Sequence, residues 1–168
     1  MENNTSEERN SAFIIALEYL LTETFEGSPP GKPSAFLDRG IGFFSTLGNL
    51  SSTAASSYIN GTTISAHTEH AKFYLDRLME FIDGRRDPVN WEDSWLIETV
   101  DNDEWQALKL SLKETYLRAK NKLSEIDYSD NVKVGMAIGM IAHTAYHLGA
   151  IRQMVKALES SVSSLEED

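Results

Sequence analysis

Hydrophobic residues recur along this chain at helical rather than strand spacing. Phe13, Leu17, Leu20 and Thr24, with Ile14 and Leu21 beside them, predict a first helix from about Ser6 to Phe25. GSPPGKPS, Gly27 to Ser34, breaks it. A shorter apolar segment, Leu37 to Leu50, carries Ile41, Phe44, Leu47 and Leu50, but Gly40, Gly42 and Gly48 weaken it as a helix. Ser51 to Asn60 has no clear period.

A second long helix is predicted from Thr63 to Asp83, with Thr62 as N-cap and Gly84 in the stop position. At about 100° per residue, Ile64, His67, Ala71, Tyr74, Leu75, Leu78 and Ile82 share its apolar face. Asp101 with Glu104 fits a capping box for a third helix, whose stripe is Trp105, Leu108, Leu112, Tyr116, Ala119 and Leu123. The last helix is predicted from Asp130 to Leu158. Its apolar face is Val132, Met136, Met140, His143, His147, Ala150, Ile151, Met154 and Leu158. A second face of small residues, Gly135, Gly139 and Ala142, with Tyr146, suits close helix approach. The long link from Gly84 to Val100 is unusual in a compact bundle, so Trp91 and Trp95 should fold back to cover a core edge or wall a pocket. No alternating run supports a sheet. The expected fold is all-α: a four-helix bundle with room for one extra short helix, over residues 1–168 as a single domain.

Composition narrows the functional classes. The 168 residues carry a net charge of −11, with 15 Lys and Arg against 26 Asp and Glu. Such a surface repels phosphate backbones, and Arg85-Arg86 is the one basic pair, so no nucleic-acid partner is expected. The acidic ends, Glu7-Glu8 and Glu166 to Asp168, need only solubility to explain them. With no cysteine, disulfides, zinc-thiolate sites, iron–sulfur clusters and cysteine nucleophiles are excluded. MENNTSEERN is unlike a signal peptide, and no apolar run approaches the roughly 20 residues of a membrane span. A cytoplasmic protein without a membrane partner is the expectation.

The histidines carry the candidate chemistry. In AHTAYHLGAIRQ, Ala142 to Gln153, His143 and His147 stand four residues apart, so both imidazoles stack on one helix face. The other two of the four histidines, His67 and His70, share the second long helix. A buried neutral histidine can be satisfied by a hydrogen bond alone. Several at the centres of apolar stripes are costly, and a shared divalent metal offsets that cost through nitrogen bonds. His67, His143 and His147 are therefore the expected metal ligands. His70 falls on the flank near Arg77, as a partly exposed residue or a donor to a ligand, although its three-residue offset would let it replace His67. Three neutral imidazoles leave a coordination position open for a water, thiol or carbonyl, and suit zinc, nickel or iron. HExxH is absent, and no residue is assigned as catalytic.

TTISAHTEHAKFYLDRL, WEDSW with VDNDEW, and AHTAYHLGAIRQ resemble the DinB/YfiT-like superfamily, over roughly residues 7 to 158. The resemblance implies a four-helix bundle with a three-histidine site for nickel or zinc, matching His67, His143 and His147, and a homodimer. It also implies, for some relatives, transfer or isomerisation chemistry on low-molecular-weight thiols. Two functions follow as expectations. One is a metal-dependent enzyme of thiol S-transferase or hydrolase type acting on a small molecule. Tyr74 and Tyr146 would donate hydrogen bonds there, and Arg77 and Arg152 would hold an acidic cosubstrate. The other is a non-catalytic metal- or small-ligand-binding bundle.

Overall fold

In the computed structural model, the backbone is described for Glu2–Leu165 and side chains for residues 10–161. The acidic terminus Glu166 to Asp168 and the side chains of Glu7 and Glu8 lie outside these limits. Four long helices form the bundle: α1 (Glu2–Glu26), α4 (Ile64–Ile82), α5 (Asn102–Glu125) and α6 (Asn131–Leu165). Two short ones, α2 (Phe43–Gly48) and α3 (Ser52–Ala55), stand between α1 and α4, and a 3-10 turn spans Trp91–Trp95. Among the described residues there is no strand, only an isolated bridge between Ile59 and Thr62. The architecture is the all-α bundle that the periodicity predicts, with two short helices rather than one.

Helix α4 packs against α5 on one side and α6 on the other, and α1 closes the ring between those two. The core is continuous. Leu21, Phe25, Phe43, Ile64, Leu75, Leu112, Tyr116, Met140, Leu148 and Ile151 are all buried within it. The capping box at Asp101 and Glu104 forms as the sequence predicts. The α4 cap does not sit on Thr62. Thr63 is the N-cap, its hydroxyl accepting from Ala66 N at 3.1 Å, because Thr62 is held in the turn bridge with Ile59.

The predicted stripes fray at their ends. Val132, placed on the core face of the last helix, is 65 % exposed, and Phe13 is 38 % exposed, each the first residue of its predicted stripe. Of the two glycines on the small-residue face of α6, only Gly139 approaches another helix: a Cβ there would stand 3.5 Å from Leu78 Cδ1. Gly135, Ala142 and Tyr146 are exposed. By length and composition, Asn131–Ser161 of α6 is apolar enough to cross a membrane. Counting uninterrupted apolar residues overlooked this, because His143, Thr144 and His147 interrupt the run. The same property belongs to a core helix, and α6 packs against α1, α2 and α4.

Two contacts fix the long connection from α1 to α4. The buried Glu23 carboxylate accepts the backbone N–H groups of Ala35, Phe36 and Leu37, at 2.8 Å for the nearest. A carboxylate satisfied by three amides pins the loop that the Gly-Pro run begins. Gly42 then passes close to the end of α1. A Cβ there would stand 2.6 Å from Gly27 N and 2.8 Å from Phe25 O, both backbone. Its φ of −169° is ordinary extended backbone, so the requirement is steric alone. Gly42→Ala is expected to lower stability by about 1–3 kcal/mol, read as a shifted denaturant midpoint with an unchanged slope.

Candidate metal centre

The site lies between α4 and α6, under the strap that joins α4 to α5. On α6, the four-residue offset puts His143 and His147 on the face toward α4, their ring centroids 4.5 Å apart. On α4, His70 comes within 5.0 Å of the His143 ring and 4.6 Å of the His147 ring. One ring nitrogen from each of His70, His143 and His147 lies within 4.8 Å of the others. A tetrahedral ion with bonds of about 2.0–2.1 Å holds its ligands roughly 3.4 Å apart, a spacing inside the 4.8 Å that bounds these nitrogens.

His67 completes a cluster of all four histidines. Its Nδ1 is 2.8 Å from His147 Nδ1, and it faces the outer side of the site. Helical phase predicts His67 as the third ligand and His70 on the flank. In the fold His70 is buried and central, while His67 is half-buried at the rim. The strap causes this. Its 3-10 turn packs on the α4 flank and buries a face that an isolated helix would give to solvent.

The strap also sets the tautomer of His70. Ser94 donates its hydroxyl proton to Trp91 O at 2.5 Å. The 2.7 Å contact between Ser94 Oγ and His70 Nδ1 therefore has Nδ1–H as donor. His70 Nε2 keeps its lone pair, the state that a metal ligand needs. Trp95 stacks on the other side of that ring, with centroids 4.0 Å apart and planes at 19°. Tyr74 stacks on His143 at 3.5 Å and 14°. The buried His143 Nε2 has no hydrogen-bond partner. An orphaned buried nitrogen beside two other imidazoles fits the role of a metal ligand, because a ligand bond would offset its desolvation.

Burial keeps these imidazoles neutral. It is the leading cause pushing His70 and His143 down to about 4 and His147 down to about 3, with repulsion from neighbouring histidines adding to it. His67 is lowered by burial as well. Free histidine titrates near 6.5, so between about pH 6.5 and these depressed values the unfolded chain binds protons that the folded chain refuses. Stability from the cluster is therefore full above about pH 6.5 and is lost as pH falls toward the folded values. After chelation, the protein should lose on the order of a few kcal/mol of stability between about pH 7 and pH 4.5. Thermal melts alongside His147→Gln check this, the variant showing the smaller acid loss.

Other residues singled out in the sequence are placed less centrally. Tyr146 is exposed and only edge-on to His147, at 5.1 Å. Arg77 pairs with Glu80 at 2.6 Å and Arg152 with Asp38 at 3.2 Å, so the two cations suggested for an acidic cosubstrate are bound to carboxylates. Trp91 and Trp95 do fold back, Trp91 against Tyr74 and Trp95 against His70. Periodicity overlooked Ser94, Tyr58 and Glu98, for these are loop residues with no spacing signal. A pocket of about 370 Å³ opens beside the cluster, lined in part by His67, Trp95, Tyr58 and Glu98. No family model matches the chain, and neither does any curated protein or solved structure. On its own geometry the protein is an all-α bundle with a buried histidine trio able to coordinate a divalent metal.

Proposed function

We propose that the protein is a divalent-metal-binding helical bundle whose ion is held by His70, His143 and His147. The convergence of one nitrogen from each within 4.8 Å is the observation that carries this reading. Ser94 fixes the ring and tautomer of His70, and His67 orients His147 through the contact between their Nδ1 atoms. Zinc or nickel suits neutral imidazoles, and iron is the third candidate. Elemental analysis of protein purified without an affinity tag or added metal should find about one divalent ion per chain. Protein free of metal, and unable to take up zinc or nickel, would refute the reading.

A second ligand set, His67, His143 and His147, is favoured by the 2.8 Å approach of His67 to His147 and by the resemblance to DinB/YfiT-like bundles. Both sets share the pair on α6. The enzymatic reading adds that the protein acts on a small molecule, as a thiol S-transferase or a hydrolase. Its support is the pocket that reaches His67 and Trp95 from solvent. An ion in the cluster would supply Lewis acidity toward a thiol, water or carbonyl. The chain's own part would be to hold three neutral nitrogens, to shield them beneath Trp95 and Tyr74, and to leave the His67 side accessible.

A further inference from the structure

The pocket beside the cluster has a chemistry of its own. Tyr58, Thr62, Thr63, His67, Trp95 and Glu98 are among its lining residues, which include one carboxylate and no lysine or arginine. Glu98 is anchored at the start of α4. Its backbone carbonyl accepts the Thr63 hydroxyl at 2.7 Å, with Ser65 Oγ 2.9 Å from the same oxygen. Tyr58 donates its hydroxyl to Glu98 Oε2, which orients the carboxylate while leaving acceptor capacity on it. That hydrogen bond is also the first cause raising the Tyr58 titration, so the phenol stays a neutral donor.

Two aromatic rings accompany the carboxylate. Trp95 is stacked on His70 yet keeps 38 % of its surface exposed, and Tyr58 is more exposed still. An exposed carboxylate held by the Tyr58 hydroxyl, with indole and phenol walls, hydroxyls and no competing cation, matches an organic ammonium. An anionic ligand would meet Glu98 unopposed, in a chain whose net charge is −11. Neither arginine that might have received its acid group reaches this pocket, and both are paired elsewhere.

We propose that the pocket binds the ammonium group of a small organic amine on Glu98, against Trp95 and Tyr58, with the rest of the molecule directed toward His67. The inference rests on the metal-centre reading only for what the amine's far end would meet. It makes the small-molecule partner cationic or zwitterionic at physiological pH, rather than a purely acidic thiol.

The test uses the full chain as isolated and again after chelation, with n-butylammonium and butyrate as probes. Binding is followed through the Trp95 indole N–H resonance, assigned with Trp95→Phe. Butylammonium should shift that resonance saturably in both samples, and added salt should weaken its binding. Butyrate should leave the resonance unmoved. Glu98→Gln should weaken butylammonium about tenfold while leaving the helical spectrum unchanged. Glu92→Gln, an exposed acid on the same strap outside the pocket lining, should bind like wild type. Butyrate binding as tightly as butylammonium, no saturable shift, or full affinity in Glu98→Gln would each overturn the proposal. Elemental analysis of the same samples separates it from the metal reading. Metal uptake without preference for the ammonium overturns this inference alone, and ammonium binding by protein unable to take up metal overturns the metal centre and leaves the pocket assignment standing.

Discussion

His143→Ala and His147→Ala should each weaken zinc or nickel binding by more than about 100-fold, with the helical spectrum retained. The comparison point is the loss of a residue that merely orients a ligand, which costs about 10–100-fold. Removing a ligand exceeds that, because two imidazoles cannot replace the third bond and the freed site must be solvated. The α6 pair belongs to both ligand sets, so these variants test the centre itself. The partner on α4 is decided by a second comparison. His70→Ala should lose more than about 100-fold and His67→Ala about 10–100-fold, since the Ser94 contact leaves His70 Nε2 free while His67 acts through His147. The reverse order would place His67 in the ligand set. Wild-type affinity in both α6 variants would mean that the ion sits elsewhere.

Trp105→Ala should destabilise the fold by about 3–5 kcal/mol, enough to threaten a domain of ordinary stability. Trp105 is completely buried at the first turn of α5. Its Nε1–H donates to Leu50 O at 2.8 Å, across the loop between α2 and α3. The truncation therefore leaves a large cavity and a carbonyl without its partner, two costs that add. Trp105→Phe restores most of the volume but not the donor. Its smaller loss, read from denaturant melts, separates the hydrogen bond from the packing. A loss of under about 1 kcal/mol for the alanine variant would show that this end of the bundle can collapse around the gap.

The long helices were legible because each must bury one face, and a buried face leaves a 3.6-residue period. The stripe from Trp105 to Leu123 on α5 and the one from Met140 to Met154 on α6 follow directly, as does the capping box at Asp101. The pairing of His143 with His147 was equally local, since a four-residue offset aligns side chains on any α-helix. At the first residue of two stripes, Val132 and Phe13, periodicity overstated burial, because spacing gives the face of a helix and not how far along it the cover extends.

The rest of the centre depends on contacts between segments far apart in the chain. Helical phase put His67 at the middle of the α4 face and His70 at its edge. That ranking assumes a helix with one buried side. The strap from Gly84 to Val100 gives α4 a second buried side, laying Trp95 on His70 and setting Ser94 against its Nδ1. Glu98 and Tyr58 meet for the same reason, forty residues apart and brought together by the turn ahead of α4. The sequence alone determined the all-α class, the four long helices, the absence of cysteine chemistry and the α6 histidine pair, all of which are set by local spacing or composition. Only the tertiary structure brought both α4 histidines to that pair and set Trp95 and Ser94 against His70, because a loop without periodicity leaves no mark in the sequence of where it will pack.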